Sequence, residues 1–253
     1  MSYQLYAYIL YVWVSIGIIT FFYLLFKQSA PYGRHVRTGW GREISNRLGW
    51  VIMETPVMLF VLLFFSFGTN PTPSHLVYFF MGLFFLHYIH RSFVFPAFLR
   101  TQGKKMPLAI AISAMGFNLM NGFGLGYYWG SFAEYSATWL SDARFGIGIA
   151  VFLGGMAINV IADYQLIGLR KEGETGYKIP QGFLFKYISC PNHLGEIIEW
   201  AGFALMTWSL PALTFWIWTM ANVVPRTLAH HRWYKEKFPD YPKQRKAWLP
   251  FLW

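Results

Sequence analysis

Three groups of polar residues stand in or beside the last three apolar stretches of this chain. They are Asn159 and Asp163; Asn192, Glu196 and Glu199; and Arg226, His230, His231 and Tyr234. Within each group the main spacings are three or four residues, so on a helix the members share one face. Ionisable groups inside hydrocarbon are costly and turn toward an interior or a polar cavity. Taken singly, each stripe reads equally as glue between helices. Three stripes on consecutive helices read as the lining for a polar guest. Arg170 lies two turns beyond Asp163 and extends the first stripe from amide to carboxylate to guanidinium. Arg170, Lys178 and Arg226 suit phosphates; the Asn, Asp and Glu side chains suit ribose hydroxyls, an amide or an adenine.

Two further groups lie earlier. Glu54, in Met53-Glu54-Thr55-Pro56, sits roughly 9 Å inside its apolar stretch, and Pro56 removes a helical donor and bends the backbone there. Glu54 reads either as a carboxylate reaching the interface or as a buried carboxyl that stays protonated and donates or relays a proton. In His87-Tyr88-Ile89-His90-Arg91, the pairs 87/91 and 88/91 share a broad polar face. This face is either a structural network or a phenol acid at Tyr88 aimed at a carbonyl, with Arg91 clamping an anion or cofactor.

These groups need helices to carry them. Of the 253 residues, 55% are hydrophobic, 21% aromatic and only 13% charged, the composition of a membrane protein. Seven apolar stretches approach membrane length: Tyr3 to Phe26, Leu48 to Phe67, Leu76 to Phe98, Met106 to Trp129, Phe145 to Leu169, Leu194 to Leu210 and Ala212 to Leu228. The last two form a tight hairpin with Pro211 near the start of the final helix. With seven spans, 20 of the 21 Lys and Arg fall on one side, and only Arg144 on the other. The positive-inside rule then places the N-terminus outside and the C-terminus in the cytosol. The expected fold is an all-α integral membrane protein, one seven-helix domain over residues 1–253 with its polar lining toward the cytosol. The membrane is a bacterial inner membrane or the endoplasmic reticulum.

Other features narrow the possibilities. The first apolar run is too long, and lacks a basic start, for a cleavable signal peptide. The single Cys190 reads as a packing residue. Gly122-Phe-Gly-Leu-Gly126 is not a dinucleotide fingerprint and reads as close helix packing. His87-x-x-His90 and His230-His231 resemble parts of a di-iron histidine box, but only seven His exist, and His35 and His75 fall in predicted loops. No metal is expected. A basic balance without a soluble basic surface gives no nucleic-acid partner.

The chain resembles the steroid 5α-reductases, NADPH-dependent 3-oxo-5α-steroid 4-dehydrogenases, over nearly its whole length. The resemblance rests on His87-Tyr88-Ile89-His90-Arg91, Ala133-Glu134-Tyr135, Ile158-Asn159-Val160-Ile161-Ala162-Asp163-Tyr164 and Tyr177-Lys178-Ile179-Pro180-Gln181-Gly182. It continues through Leu194-Gly195-Glu196-Ile197-Ile198-Glu199-Trp200, Thr207-Trp208-Ser209-Leu210-Pro211, and the tail from Tyr241 to Phe251. Sterol reductases and isoprenylcysteine methyltransferases share the C-terminal pattern more loosely; the motifs around Glu54 and Tyr88 make the narrower match. The resemblance implies a seven-helix fold holding NADPH in its cytosolic half, with the steroid deeper. Glu54 and Tyr88 would bind the steroid's C3 carbonyl. Asn159, Asp163, Arg170, Lys178, Asn192, Glu196, Arg226, His230 and Tyr234 would line the cofactor site, to which the residue pattern above adds Arg91 as a clamp. The basic loop Thr101-Gln102-Gly103-Lys104-Lys105 is longer than the family's.

The implied reaction reduces the 4,5 double bond of a 3-oxo-4-ene steroid. Its partners are a hydrophobic steroid and membrane lipid, and the protein is expected to act as a monomer. Alternatives on the same scaffold are a reductase of a polyprenol precursor or enoyl thioester, and a methyltransferase using S-adenosylmethionine. A sterol-binding or transport protein is a further alternative, although inverted repeats are absent.

Overall fold

The computed structural model describes residues 1–27, 31, 33–37, 39–100, 103–171, 173–174 and 176–249. Thr101 and Gln102 of the basic loop and the tail residues Phe251 and Trp253 lie outside the described residues. Among the described residues, five helices are long and apolar enough to cross a membrane: Tyr3–Phe26, Asn46–Ser66, His75–Phe98, Leu108–Ser131 and Ala143–Gly168. The chain forms two compact units, Met1–Tyr6 with Pro31–Leu140, and Ala7–Ala30 with Ser141–Trp253.

In the first unit, β1 (Glu43–Ser45) pairs antiparallel with β2 (Lys105–Pro107), Ile44 opposite Met106. Helix α2 (Asn46–Ser66) leaves the first strand and α5 (Leu108–Ser131) the second. The Ser45 hydroxyl caps α2 by accepting from the Leu48 N–H at 3.2 Å. The two helices run side by side in the same direction. A Cβ on Gly122 would strike Phe60, one on Gly126 the backbone of Val61, and one on Gly130 the carbonyl of Phe65. Glycine at these four-residue intervals lets the backbones touch, as in membrane helix pairs. The packing role expected of Gly122 and Gly126 is the one they have.

Helix α3 (His75–Ile89) starts one residue earlier than its apolar run suggests. His75 is not a loop residue, because the Ser74 hydroxyl caps the helix from the Leu76 N–H at 3.3 Å. The helix passes through a π-turn, His90–Val94, into α4 (Phe95–Phe98). Pro96 has no N–H to give Ser92, and its ring crowds that carbonyl. The wider turn relieves the crowding, and the Phe95 N–H donates to His90, five residues back. Such turns concentrate at functional sites, and this one contains Arg91.

The second unit is built on α6 (Ala143–Gly168), α7 (Pro191–Thr207) and α8 (Leu210–Lys237), with most of α1 (Tyr3–Phe26). α6 and α7 are antiparallel, and their contact is again glycine. A Cβ on Gly148 would enter Met206, on Gly155 the backbone of Glu199, on Gly195 the backbone of Asn159, and on Gly202 the backbone of Phe152. The expected tight hairpin follows. Trp208 ends α7 in a left-handed conformation (φ 42°), rare for a non-glycine residue, and Pro211 opens α8. α8 continues well past Leu228, where the seventh apolar stretch ends. On α1, Gly17 lies under the Trp218 ring, whose indole N–H donates to the Trp13 carbonyl at 3.0 Å.

Candidate active site

Tyr88 is buried in α3. Its ring packs 4.7 Å from Phe84, which meets Trp129 edge-on at 6.1 Å. The buried His87 ring touches it at 5.1 Å. Glu54 is partly buried on α2. The Arg91 guanidinium lies over two rings, 4.6 Å from the Trp50 centroid and 4.7 Å from that of Phe95. Cation–π attraction to both rings helps fix the plane of the guanidinium. This unit therefore offers a phenol within an aromatic wall, a half-buried carboxyl on α2, and one oriented guanidinium.

The second unit assembles its polar residues by direct hydrogen bonds. The Asn159 amide donates to the Asn192 carbonyl at 2.9 Å, and the Asn192 amide donates to Asp163 at 2.9 Å. Glycine contact between α6 and α7 makes these short reaches possible. Asn159, Asp163 and Glu199 are buried, and Asn192 and Glu196 partly so. Just past α6, Arg170 donates to the Gly176 carbonyl at 2.9 Å and lies 5.0 Å over the Tyr177 ring. Lys178 does not join this buried set. It pairs with Glu174 at 2.5 Å on the surface, and the ammonium beside it holds the Glu174 carboxyl below its ordinary range.

On α8, Arg226 is partly buried, and His230 and Tyr234 are buried. Tyr234 stacks on Tyr241 of the tail at 5.2 Å and 12°. The His230 ring lies 5.3 Å from that of His193 on α7. His193 Nδ1 is 2.6 Å from the Thr227 hydroxyl, which donates its proton to the Val223 carbonyl at 2.7 Å. Thr227 therefore accepts from His193 Nδ1–H, so in the neutral ring the lone pair sits on Nε2.

Ser189 ties down the tail. Its hydroxyl lies 2.6 Å from His231 Nδ1, 2.6 Å from the Tyr241 hydroxyl and 3.1 Å from the Lys246 carbonyl. Its N–H donates to Lys246 at 2.9 Å, and Arg245 reaches the Pro180 carbonyl at 3.1 Å. His231 lies beyond the seventh apolar stretch. Burial, then Lys235, Arg245 and Lys246, pushes its pKa down to about 4, so the ring is neutral at physiological pH.

Sequence spacing does not single out Asn118, His193, Thr227 or Ser189. Asn118 has a usable signal, since it stands one interval before Gly122 on the same stripe. His193 and Thr227 take on their roles only when α7 meets α8. Among the described residues no group of three or more His, Cys, Asp or Glu is placed to hold a metal ion.

Five membrane-length helices carrying buried carboxyl, amide and imidazole groups define a multi-pass helical membrane protein. The sequence profile of the 3-oxo-5-alpha-steroid 4-dehydrogenase family matches residues 104–253. A steroid 5-alpha-reductase of Solanum lycopersicum is 42% identical over 229 residues, 89% of this chain and 88% of the relative. 3-oxo-5-alpha-steroid 4-dehydrogenase 1 of Bos taurus is 41% identical over 249 residues, covering 96% and 95%. 3-oxo-5-alpha-steroid 4-dehydrogenase 2 of Sus scrofa is 42% identical over 236 residues, covering 90% of each. The chain belongs to this family and is an oxidoreductase of the steroid 5-alpha-reductase type.

Proposed function

We propose that the protein reduces the 4,5 double bond of 3-oxo-4-ene steroids, taking hydride from NADPH at C5. Identity to steroid 5-alpha-reductases across most of the chain carries this reading. As hydride reaches C5, charge moves to the C3 oxygen and an enolate forms. Donors already in place at that oxygen lower the barrier most. Tyr88 supplies one O–H and a protonated Glu54 the other, and C4 then takes a proton. The aromatic residues around Tyr88 exclude water and suit a rigid apolar ligand.

The donor set of the second unit fits a dinucleotide. Asn159, Asp163, Asn192 and Glu196 match ribose hydroxyls and an amide. Arg170 and Arg226 match phosphates, and Arg91, on its own unit, keeps the role of an anion or cofactor clamp. His230 and Tyr234 add a donor and a stacking ring. Lys178 reaches a phosphate only by leaving Glu174. When bound, NADPH supplies the hydride; the protein's own residues hold it and polarise the carbonyl.

The whole chain acts as one seven-helix domain and as a monomer, N-terminus outside and C-terminus cytosolic. α7 and the part of α8 up to Leu228 serve as the sixth and seventh spans, and the cofactor residues face the cytosol of a bacterial inner membrane or the endoplasmic reticulum. The test is incubation of purified protein with NADPH and testosterone or progesterone, followed by product mass. A gain of two hydrogens is expected; unchanged substrate overturns the reading.

A further inference from the structure

Asn118 takes no part in the chemistry above, yet it is buried in α5 and its amide donates to the Met53 carbonyl at 2.5 Å. Met53 is the residue before Glu54. Pro56 lacks the N–H that would bond the Ile52 carbonyl, so α2 has lost a rung of its own ladder one residue before Met53. Neighbouring helices resupply donors at such points in membranes.

The α2–α5 contact explains why a donor is needed there. Gly122, Gly126 and Gly130 bring the backbones together but present no side chain that resists sliding or rotation. Asn118 continues that stripe by one interval and is its only polar member. A directional bond at the end of a smooth seam sets register as well as adding stability.

We propose that Asn118 is a positioning residue: its bond to the Met53 carbonyl sets the depth and rotation at which α2 presents Glu54 to the steroid's C3 oxygen. This rests on the reading that Glu54 polarises that oxygen. Misplacement by about 1 Å is enough to cost up to about 100-fold in rate.

The test is a double-mutant cycle on the purified full-length protein with NADPH and testosterone. Asn118→Leu keeps the approximate shape and removes the donor; Asn118→Ala removes the same donor without bulk and serves if the leucine variant does not fold. Either is expected to lower kcat about 10-fold or more, with the Kd for NADPH within about twofold. In a Glu54→Gln background the same change should cost less than about threefold, because no positioned carboxylic acid remains to be misplaced. Equal fold-losses in both backgrounds, or a kcat within twofold of the parent, overturn the proposal. A Glu54→Gln protein that keeps normal kcat instead removes the reading of Glu54 itself, and the proposal with it.

Discussion

The two units hold their polar groups by different means. In the second, polar groups fasten directly to one another: the Asn159 amide to the Asn192 carbonyl, the Asn192 amide to Asp163, His193 to Thr227, and Ser189 to His231 and Tyr241. In the first, the groups are set by rings and backbone: Tyr88 against Phe84, Arg91 between Trp50 and Phe95, and the Glu54 segment tied through the Met53 carbonyl. A linked polar network suits a polar ligand, since pre-oriented dipoles need not reorganise when it binds. A donor in an aromatic surround suits an apolar ligand with one polar atom, where a dry setting strengthens each hydrogen bond.

If this division is real, damage in each unit should have its own kinetic signature. The largest effect is expected from Glu54→Gln and Tyr88→Phe. Each should lower kcat by about 10²- to 10³-fold while leaving NADPH affinity nearly unchanged. Steady-state kinetics beside a direct binding titration decide this, and a near-normal kcat in either variant removes that residue from the mechanism.

The second unit should fail in the opposite sense. Arg226→Ala or His230→Ala should raise the Kd for NADPH about 10-fold or more, as loss of a charge-assisted hydrogen bond costs roughly 1.5–3 kcal/mol. Unchanged binding in both would make the α8 stripe a structural seam. Activity should also survive exhaustive chelation; loss in EDTA restored only by iron or zinc would return the histidines to a metal role.

A smaller effect concerns pH. The His231 pKa is depressed in the folded protein, to about 4 from an ordinary 6.5, so the open tail binds more protons between these values. Stability from the Ser189 clasp is therefore full above about pH 6.5 and is lost as pH falls toward 4. Limited proteolysis of the tail should accelerate over that window, and His231→Asn should flatten the pH dependence. An unchanged profile in the variant would show that other groups govern the tail.

The smallest effect is expected at Lys178. Surface ion pairs contribute about 0–1 kcal/mol, so Glu174→Gln should alter NADPH affinity by no more than about fivefold. If Lys178 serves a phosphate, the change is a tightening; weaker binding would assign the pair a structural role in the loop.

Apolar run length and helical periodicity sufficed for the coarse helical structure. Apolar run length yields the helices, because a backbone in hydrocarbon must satisfy its hydrogen bonds within one segment. Helical spacing makes 159/163, 192/196 and 226/230/234 stripes before any packing is known. The hairpin at Ser209–Pro211 was equally readable from proline's fixed geometry and missing donor. Tertiary structure alone decided what those stripes touch. The π-turn at His90–Val94 depends on how Pro96 and its neighbours relieve crowding, which no spacing rule encodes. Asn159 meets Asn192 only because Gly155 and Gly195 let two backbones close. Charge makes Lys178 suit a phosphate, but only the folded loop shows Glu174 beside it. Asn118 is visible in sequence as one more member of the glycine stripe, but its partner, the Met53 carbonyl, appears only when α5 lies against α2. Local sequence sets which face a side chain is on; what lies opposite that face depends on residues distant in the chain, and only the folded packing brings them there.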